Sequence, residues 1–317
     1  MEQVAPKSEG KKKVNKRKDV FKYIKKNKWL YVLLIPGLLY FLIFKIAPMF
    51  GIVIAFQDYV PSAGITGSKW VGTSNFTDFF SNPDFFRIMK NTLLIAFLNI
   101  LFAFPAPIIV ALMLNELRQK IYQKVVQTFI YVPHFLSWTI IVSIWFILFS
   151  VDGGAITSLV EAITGNKIDF LSNPAWFRPM IILQSVWKGT GWGTIIYLAA
   201  LSSVDQEQYE AAIMDGAGRF ARVWHITLPA IRSTIIIMLI MQVGSILNTG
   251  FDQIYLMTNQ LNRSVADVFD TYVYMMGITN GAYSFSTAVG LFKSVVGIIL
   301  VLSTNRLAKV FGESGLY

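Results

Sequence analysis

The stretch EAAIMDGAGRFARVWHITLP, from Glu210 to Pro229, is polar and carries two glycines, yet it stands between two apolar runs. A chain that only had to reverse direction between two membrane helices would need a shorter turn there. What the stretch does depends on where the membrane lies. The 317 residues are 54% hydrophobic and 15% charged, with a mean hydropathy of +0.53. That balance is too apolar for a soluble domain of this length and implies several membrane spans. Cysteine is absent, which excludes disulfides, Cys-ligated metal sites and thiol nucleophiles. Two histidines, His134 and His225, are too few for a histidine-rich metal site. The net charge of +10 is unevenly placed, because eleven of the 28 Lys and Arg lie in residues 1–28. A basic tail directly before an apolar run points to a cytoplasmic anchor rather than to nucleic acid.

Six apolar runs read as spans, roughly 29–56, 92–114, 125–149, 179–201, 231–256 and 285–303. Backbone groups in lipid need partners within the segment, so these runs are expected to be helices. The ~10-residue alternation of a membrane β-barrel is absent. The first run is too long for the ~7–15-residue core of a signal peptide, and no A-x-A site follows it. The expectation is an all-α integral membrane protein with six transmembrane helices, a basic tail over residues 1–28 and a six-helix transmembrane body over 29–317. Nineteen Lys and Arg fall on the side of the termini and six on the opposite side, with Lys45, Lys188 and Lys293 inside spans. The positive-inside rule then puts both termini, and the loop 203–229, in the cytoplasm. The segment KRKDVFKYIKKNKW suits an amphipathic helix on the inner surface or a plain topology signal. Pro105 and Pro107 are expected to kink the second span.

Within the opening stretch the residues suggest two short helices around a bend. Ser203 or Asp205 can cap the first. Tyr209, Ala212, Ile213 and Gly216 recur at helical spacing along one side. Ala211, Ala212, Ala217 and the glycines leave room for another backbone, and Gly216 and Gly218 permit a turn. Pro229 suits the first turn of the helix that follows. The result is an ordered cytoplasmic projection that fits a groove on another protein; the plainer alternative is an interfacial helix-turn without a partner.

Glu210-Ala211-Ala212, then Gly216, then Ile226-Thr227-Leu228-Pro229 resembles the EAA signature of permease subunits in binding-protein-dependent ABC importers, in residue type and in spacing. The resemblance implies the type I ABC importer permease fold, and that this loop is the coupling helix that docks in a cleft of a cytoplasmic ATPase. Glu210 would face a basic group there, Ala211 and Ala212 would pack in the cleft, and Gly216 would make the turn. Asp215, Arg219 and Phe220 complete the implied docking surface. Trp70-Val71-Gly72 with Asn75-Phe76, then Asn91-Thr92, resembles the entrance segment of sugar permeases, and the segments 131–138, 251–257, 267–274 and 287–296 resemble their polysaccharide-type branch, which is related to maltose-type permeases. That branch is associated with oligosaccharides from plant or algal polymers. The chain departs from many sugar permeases at Asn259-Gln260-Leu261, where they carry Gly-Gly-Pro.

No G-x-x-x-x-G-K-[ST] phosphate loop occurs. The chain is therefore expected to be no enzyme and to hold no cofactor or metal. ATP and Mg would be used by a separate ATPase dimer. Ionisable groups inside spans cost about 2.5–3.5 kcal/mol each and so tend to face a cavity or a partner. Gln184, Trp187 and Lys188 have helical spacing, as do Asn248, Asp252 and Tyr255, and Lys293 lies at a similar depth. These stripes are expected to line an outward-facing cavity for an oligosaccharide; the alternative is that the lysines snorkel and Lys188–Asp252 is a structural pair. Three lysines against Asp252 would favour acidic sugars such as uronates. The implied partners are a second homologous permease, the ATPase dimer, an extracellular solute-binding protein received by segments 57–91 and 151–178, and membrane lipid, with no nucleic acid. The implied location is the bacterial cell membrane, with multiple passes. Two rival readings remain: a permease for peptides or amino acids, and a membrane enzyme acting on lipid-linked sugars.

Overall fold

The computed structural model describes residues 26–117, 119–310, 312 and 315–316. Most of the basic tail, including most of its amphipathic segment, lies outside the described residues. The chain divides into two units, residues 1–53 and 54–317. In the first, helix α1 (Lys28–Phe41) buries no residue, and its continuation to Val53 is apolar apart from Lys45. A helix so nearly apolar all round belongs in lipid rather than at a water surface.

The second unit carries the rest. A two-residue antiparallel pair, Gln57–Asp58 with Lys69–Trp70, opens it. Helix α2 (Phe85–Leu98) runs through a π turn into α3 (Pro105–Asn115). Helices α4 (Lys120–Phe135) and α5 (Trp138–Phe149) follow, then α6 (Ala155–Thr164) and α7 (Pro174–Leu201). The loop segment holds α8 (Gln206–Met214), and α9 (Arg232–Gly244) comes after it. Helices α10 (Phe251–Met257), α11 (Phe269–Tyr274) and α12 (Tyr283–Val310) complete the fold.

Among the described residues, three helices are long and apolar enough to cross a membrane: Lys28–Phe56, Phe85–Asn115 and Tyr283–Val310. The number rises to five if each of two bent pairs is one span. The structure corrects two of the expected runs. The third is not one helix, because α4 and α5 meet at 102°. Leu136 and Ser137 are extended there, and Ser137 Oγ accepts from Ile140 N to start α5 afresh. The fifth stops at Gly244 instead of continuing to residue 256. Six non-helical residues follow, and Gly250 at φ +91° is the N-cap of α10. The fourth run is a 28-residue helix, α7, but its polar residues leave it short of the same apolarity.

Proline explains three local distortions. The π turns Leu42–Ile46, Asn99–Ala103 and Val223–Thr227 each end two residues before a proline: Pro48, Pro105 and Pro229. A proline ring clashes with the carbonyl four residues back and offers no N–H to it. Widening the preceding turn relieves the clash, as when Phe104 N donates to Asn99 O five residues back. In the second span, where a kink is expected, the helix Phe85–Asn115 is continuous and carries a π turn.

Three apolar clusters hold the unit. One joins Ile95, Ile141, Trp145, Phe177, Ile181 and Ile254. A second surrounds Phe79, whose ring lies within 6.1 Å of those of Phe85, Phe269, Phe285 and Phe292. A third, of Ala111, Tyr197, Leu201, Val204 and Ile231, sits where the loop 203–229 meets the helices. Helices α4 and α7 cross closely: a Cβ on Gly191 would lie 2.3 Å from Ile130 O. The loop carrying α6 is fastened by Lys167 Nζ, which donates to Asp152 Oδ1 at 2.8 Å. That contact holds the Asp152 carboxyl below its ordinary range and raises the Lys167 ammonium.

Candidate functional site

The opening stretch folds as two helical pieces around a turn. Asp205 caps α8, its Oδ1 accepting from Glu207 N at 3.0 Å; Ser203 turns back to Ala200 O instead. Gly216 makes the turn at φ +78°, a conformation that costs a residue with a Cβ about 1–2 kcal/mol. Gly218 is not left-handed, with φ −68°, and caps the short helix Arg219–Arg222. A π turn, Val223–Thr227, then leads to Leu228–Ala230, which holds Pro229 in its first turn.

One side of this projection is braced and the other is bare. Tyr209 and Ile226 pack against the cluster of Tyr197, Leu201 and Ile231. Tyr209 Oη lies 2.9 Å from Thr227 Oγ1, tying α8 to the π turn on the returning side of the loop. Glu210, Ala211, Asp215, Gly216, Arg219 and Phe220 are exposed, and Ala212 is half-buried. Phe220 is 93% exposed and Met214 86%. Ile213, which shares a side with Tyr209 by its spacing, is exposed. Large apolar side chains left bare beside small ones, on a segment that is itself rigidly held, mark a surface for another protein.

The interior polar residues separate into different roles. Gln184 is fully buried, so it lines no cavity. It accepts from Gln253 Nε2 at 3.0 Å and donates to Met257 Sδ, locking α7 to α10. Lys188 donates to His134 O at 2.9 Å and to Leu136 O, the carbonyls freed where α4 ends. Its ammonium also lies 5.3 Å from the Trp138 ring centroid. It makes no ion pair with Asp252 among the described residues, so the pair Lys188–Asp252 is not formed. Trp187 packs at 5.4 Å on Trp145.

The stripe Asn248, Asp252, Tyr255 is also corrected, because Asn248 precedes the helix start at Phe251 and shares no helical face with the other two. Asp252 is exposed in the first turn of α10, and Tyr255 stacks on Phe251 at 5.1 Å. Asn248 instead borders two cavities. One, about 450 Å³, is lined with Gly244, Lys293 and Ser294. The other, about 210 Å³, brings together Asn99, Trp138, Ser185, Asn248, Thr249 and Gln253. It forms where three helix irregularities coincide: the π turn after α2, the bend before α5 and the break after α9. Thr249 Oγ1 is buried there without a hydrogen-bond partner among the described residues. Lys293 is paired with Asp270, whose second oxygen accepts from Thr249 N at 2.9 Å. The lysine excess is therefore smaller than the sequence suggested.

Asn91 and Thr92, part of the entrance pattern, pin the segment before α11. Asn91 Nδ2 donates to Ser264 O and Asp267 O, its Oδ1 accepts from Arg178, and Thr92 Oγ1 accepts from Phe269 N. Asn75 similarly donates to Ala55 O and Gln57 O beside the Phe56–Trp70 stack.

Residues 103–313 match the family described as binding-protein-dependent transport system inner membrane component. The chain belongs to that family. Among its relatives, Protein LplB of Bacillus subtilis (strain 168) is 68% identical over 294 residues, spanning 93% of this chain and 92% of its own length. The polygalacturonan/rhamnogalacturonan transport system permease protein YteP of the same organism is 54% identical over 305 residues, spanning 96% and 95%. A bacterial alginate ABC transporter, solved with an alginate pentasaccharide-bound periplasmic protein, has a chain that matches at TM-score 0.86 and 37% identity. The match covers 93% of this chain and 99% of that one.

In this inner-membrane component two charged residues escaped the sequence reading. Asp270 was passed over because its segment reads as an outer loop, although a lysine inside a span calls for a counter-charge. Glu116 was passed over at the end of α3. It lies 3.9 Å from Arg222 and 4.0 Å from Arg219, and only the fold brings these groups together.

Proposed function

We propose that the chain is the permease subunit of an ATP-driven ABC importer that moves oligosaccharides, acidic ones included, across the bacterial cell membrane by alternating access. The observation that carries this reading is the projection 206–229, bare on its outer side and braced on its inner side. That is what a segment needs if it is to receive a push from one protein and pass it to another. Glu210, Ala211, Ala212, Asp215, Gly216, Arg219 and Phe220 form the dock for an ATPase dimer, which uses ATP and Mg. The six apolar runs act as six spans, the bent pairs included, with both termini cytoplasmic on the charge count. A second permease of the same kind supplies the other half of the path, and a solute-binding protein delivers the sugar from outside.

The path itself runs beside Asn248, Lys293, Asp252, Tyr255 and Trp187, with polar groups for hydroxyls and aromatic faces for the ring. Gln184 and Lys188 shape it without touching solute. The preference for acidic sugars rests on the polygalacturonan permease and on the alginate transporter, since both inner lysines of the second unit already have partners. The reading favours sugars over peptides or amino acids for the same reason, and the bare dock favours a transporter over a lipid-linked sugar enzyme.

The test is uptake by the complete transporter in vesicles. ATP-dependent accumulation of a labelled uronate oligosaccharide, reduced by unlabelled uronate oligomers more than by neutral ones, is expected. Equal competition by both removes the acidic preference. Accumulation of peptides alone would overturn the sugar reading, and turnover of a lipid-linked sugar by the isolated chain would overturn the transporter.

A further inference from the structure

The loop 203–229 continues covalently into α9, so any push on it reaches the fifth apolar run. The structure shows a second connection, leading to α3. It begins at Tyr209, one residue before Glu210. Tyr209 Oη lies 2.9 Å from Thr227 Oγ1, and Thr227 Oγ1 donates to Arg222 O at 3.3 Å. With the Thr227 proton given to that carbonyl, Tyr209 is the donor of the first bond. The Arg222 side chain is 16% exposed and reaches Glu116 Oε2 at 3.9 Å, while Arg219 approaches the same oxygen at 4.0 Å. Arg222 Nε is buried with no hydrogen-bond partner among the described residues. Glu116 is the C-cap residue of α3, its N–H donating to Leu112 O. The carboxylate is thus fixed to the end of a helix, and the guanidinium is fixed to the loop.

Helix α3 is continuous through the π turn Asn99–Ala103 with α2, and Asn99 and Ile100 border the 210 Å³ cavity. A displacement of the loop that pulls on Glu116 therefore acts on a helix whose π turn lies at that cavity. Partly buried ion pairs hold geometry more firmly than exposed ones, because water competes less for them.

We propose that Glu116 is a positioning residue that couples the docking loop to the second apolar run, acting through Arg222. The inference rests on the reading of the loop as the ATPase dock. Without the carboxylate, the loop still receives the ATPase, but its motion reaches α3 only through the apolar packing of Tyr209 and Ile226 near Ala111.

The experiment uses the complete transporter in vesicles and measures ATP hydrolysed per solute accumulated, for the parent, Glu116→Gln, Arg222→Gln and the double variant. Each single variant is expected to assemble normally and to hydrolyse about fivefold or more ATP per solute moved, the lower end of common coupling energies. The double variant is expected to be no worse than either single one, since both remove one contact. An unchanged ratio in Glu116→Gln overturns the proposal. So does additivity in the double variant. So does loss of the ATPase from Glu116→Gln complexes, which would make Glu116 part of the dock. Failure of the parent itself to couple ATP to uptake would instead refute the importer reading.

Discussion

At the scale of single residues, the main lesson concerns lysine. Spacing singled out Lys188 and Lys293 because charges inside spans need a reason, and each has one. The reason for Lys188 is a broken helix: it satisfies carbonyls that the bend at Leu136 leaves open. A sequence cannot show this, since the carbonyls become orphans only when α4 stops. Lys188→Met should lower the unfolding temperature of the purified complex, as about 1–3 kcal/mol is lost per buried group left unpaired. Lys188→Arg should recover part of it, and KM for solute in the surviving protein should stay unchanged. A raised KM with an unchanged unfolding temperature would make Lys188 a solute ligand instead. Gln184 teaches the same point, because helical spacing gave its depth but not that Gln253 would cover it.

At the scale of elements, the apolar runs were legible and their breaks were not. Hydropathy averages over about a helix length, so it fused α4 with α5 and extended α9 through residues that form a turn and α10. Proline positions were better guides, since three π turns precede prolines at a fixed offset. The turn at Gly216 was legible because a tight reversal needs a residue free of a Cβ, whereas Gly218 adopts an ordinary φ. Gly191 shows a use of glycine that sequence alone does not reveal. A methyl group there would meet Ile130 O at 2.3 Å and Tyr131 Cα at 2.9 Å, both backbone atoms that cannot swing aside. Gly191→Ala should force α4 and α7 apart at a cost of about 1–3 kcal/mol or more. The yield of monodisperse protein after solubilisation should fall, and the bend at Leu136 should become more accessible to protease. A yield equal to that of the parent would show that the crossing is looser than described.

At the scale of the whole molecule, the projection 206–229 and the cavities lie on different parts of one framework, joined by the cluster around Tyr197 and by the contact of Glu116 with Arg222. The account depends on the loop 206–229 lying in the cytoplasm and meeting an ATPase. The absence of native cysteine makes this directly measurable. Phe220→Cys introduces a single thiol at a site that is 93% exposed. In sealed vesicles of known orientation, a membrane-impermeant maleimide should label this thiol from the cytoplasmic side alone, and bound ATPase should protect it. Labelling from the outer side, or undiminished labelling in a complex that hydrolyses ATP and moves solute, would contradict the account.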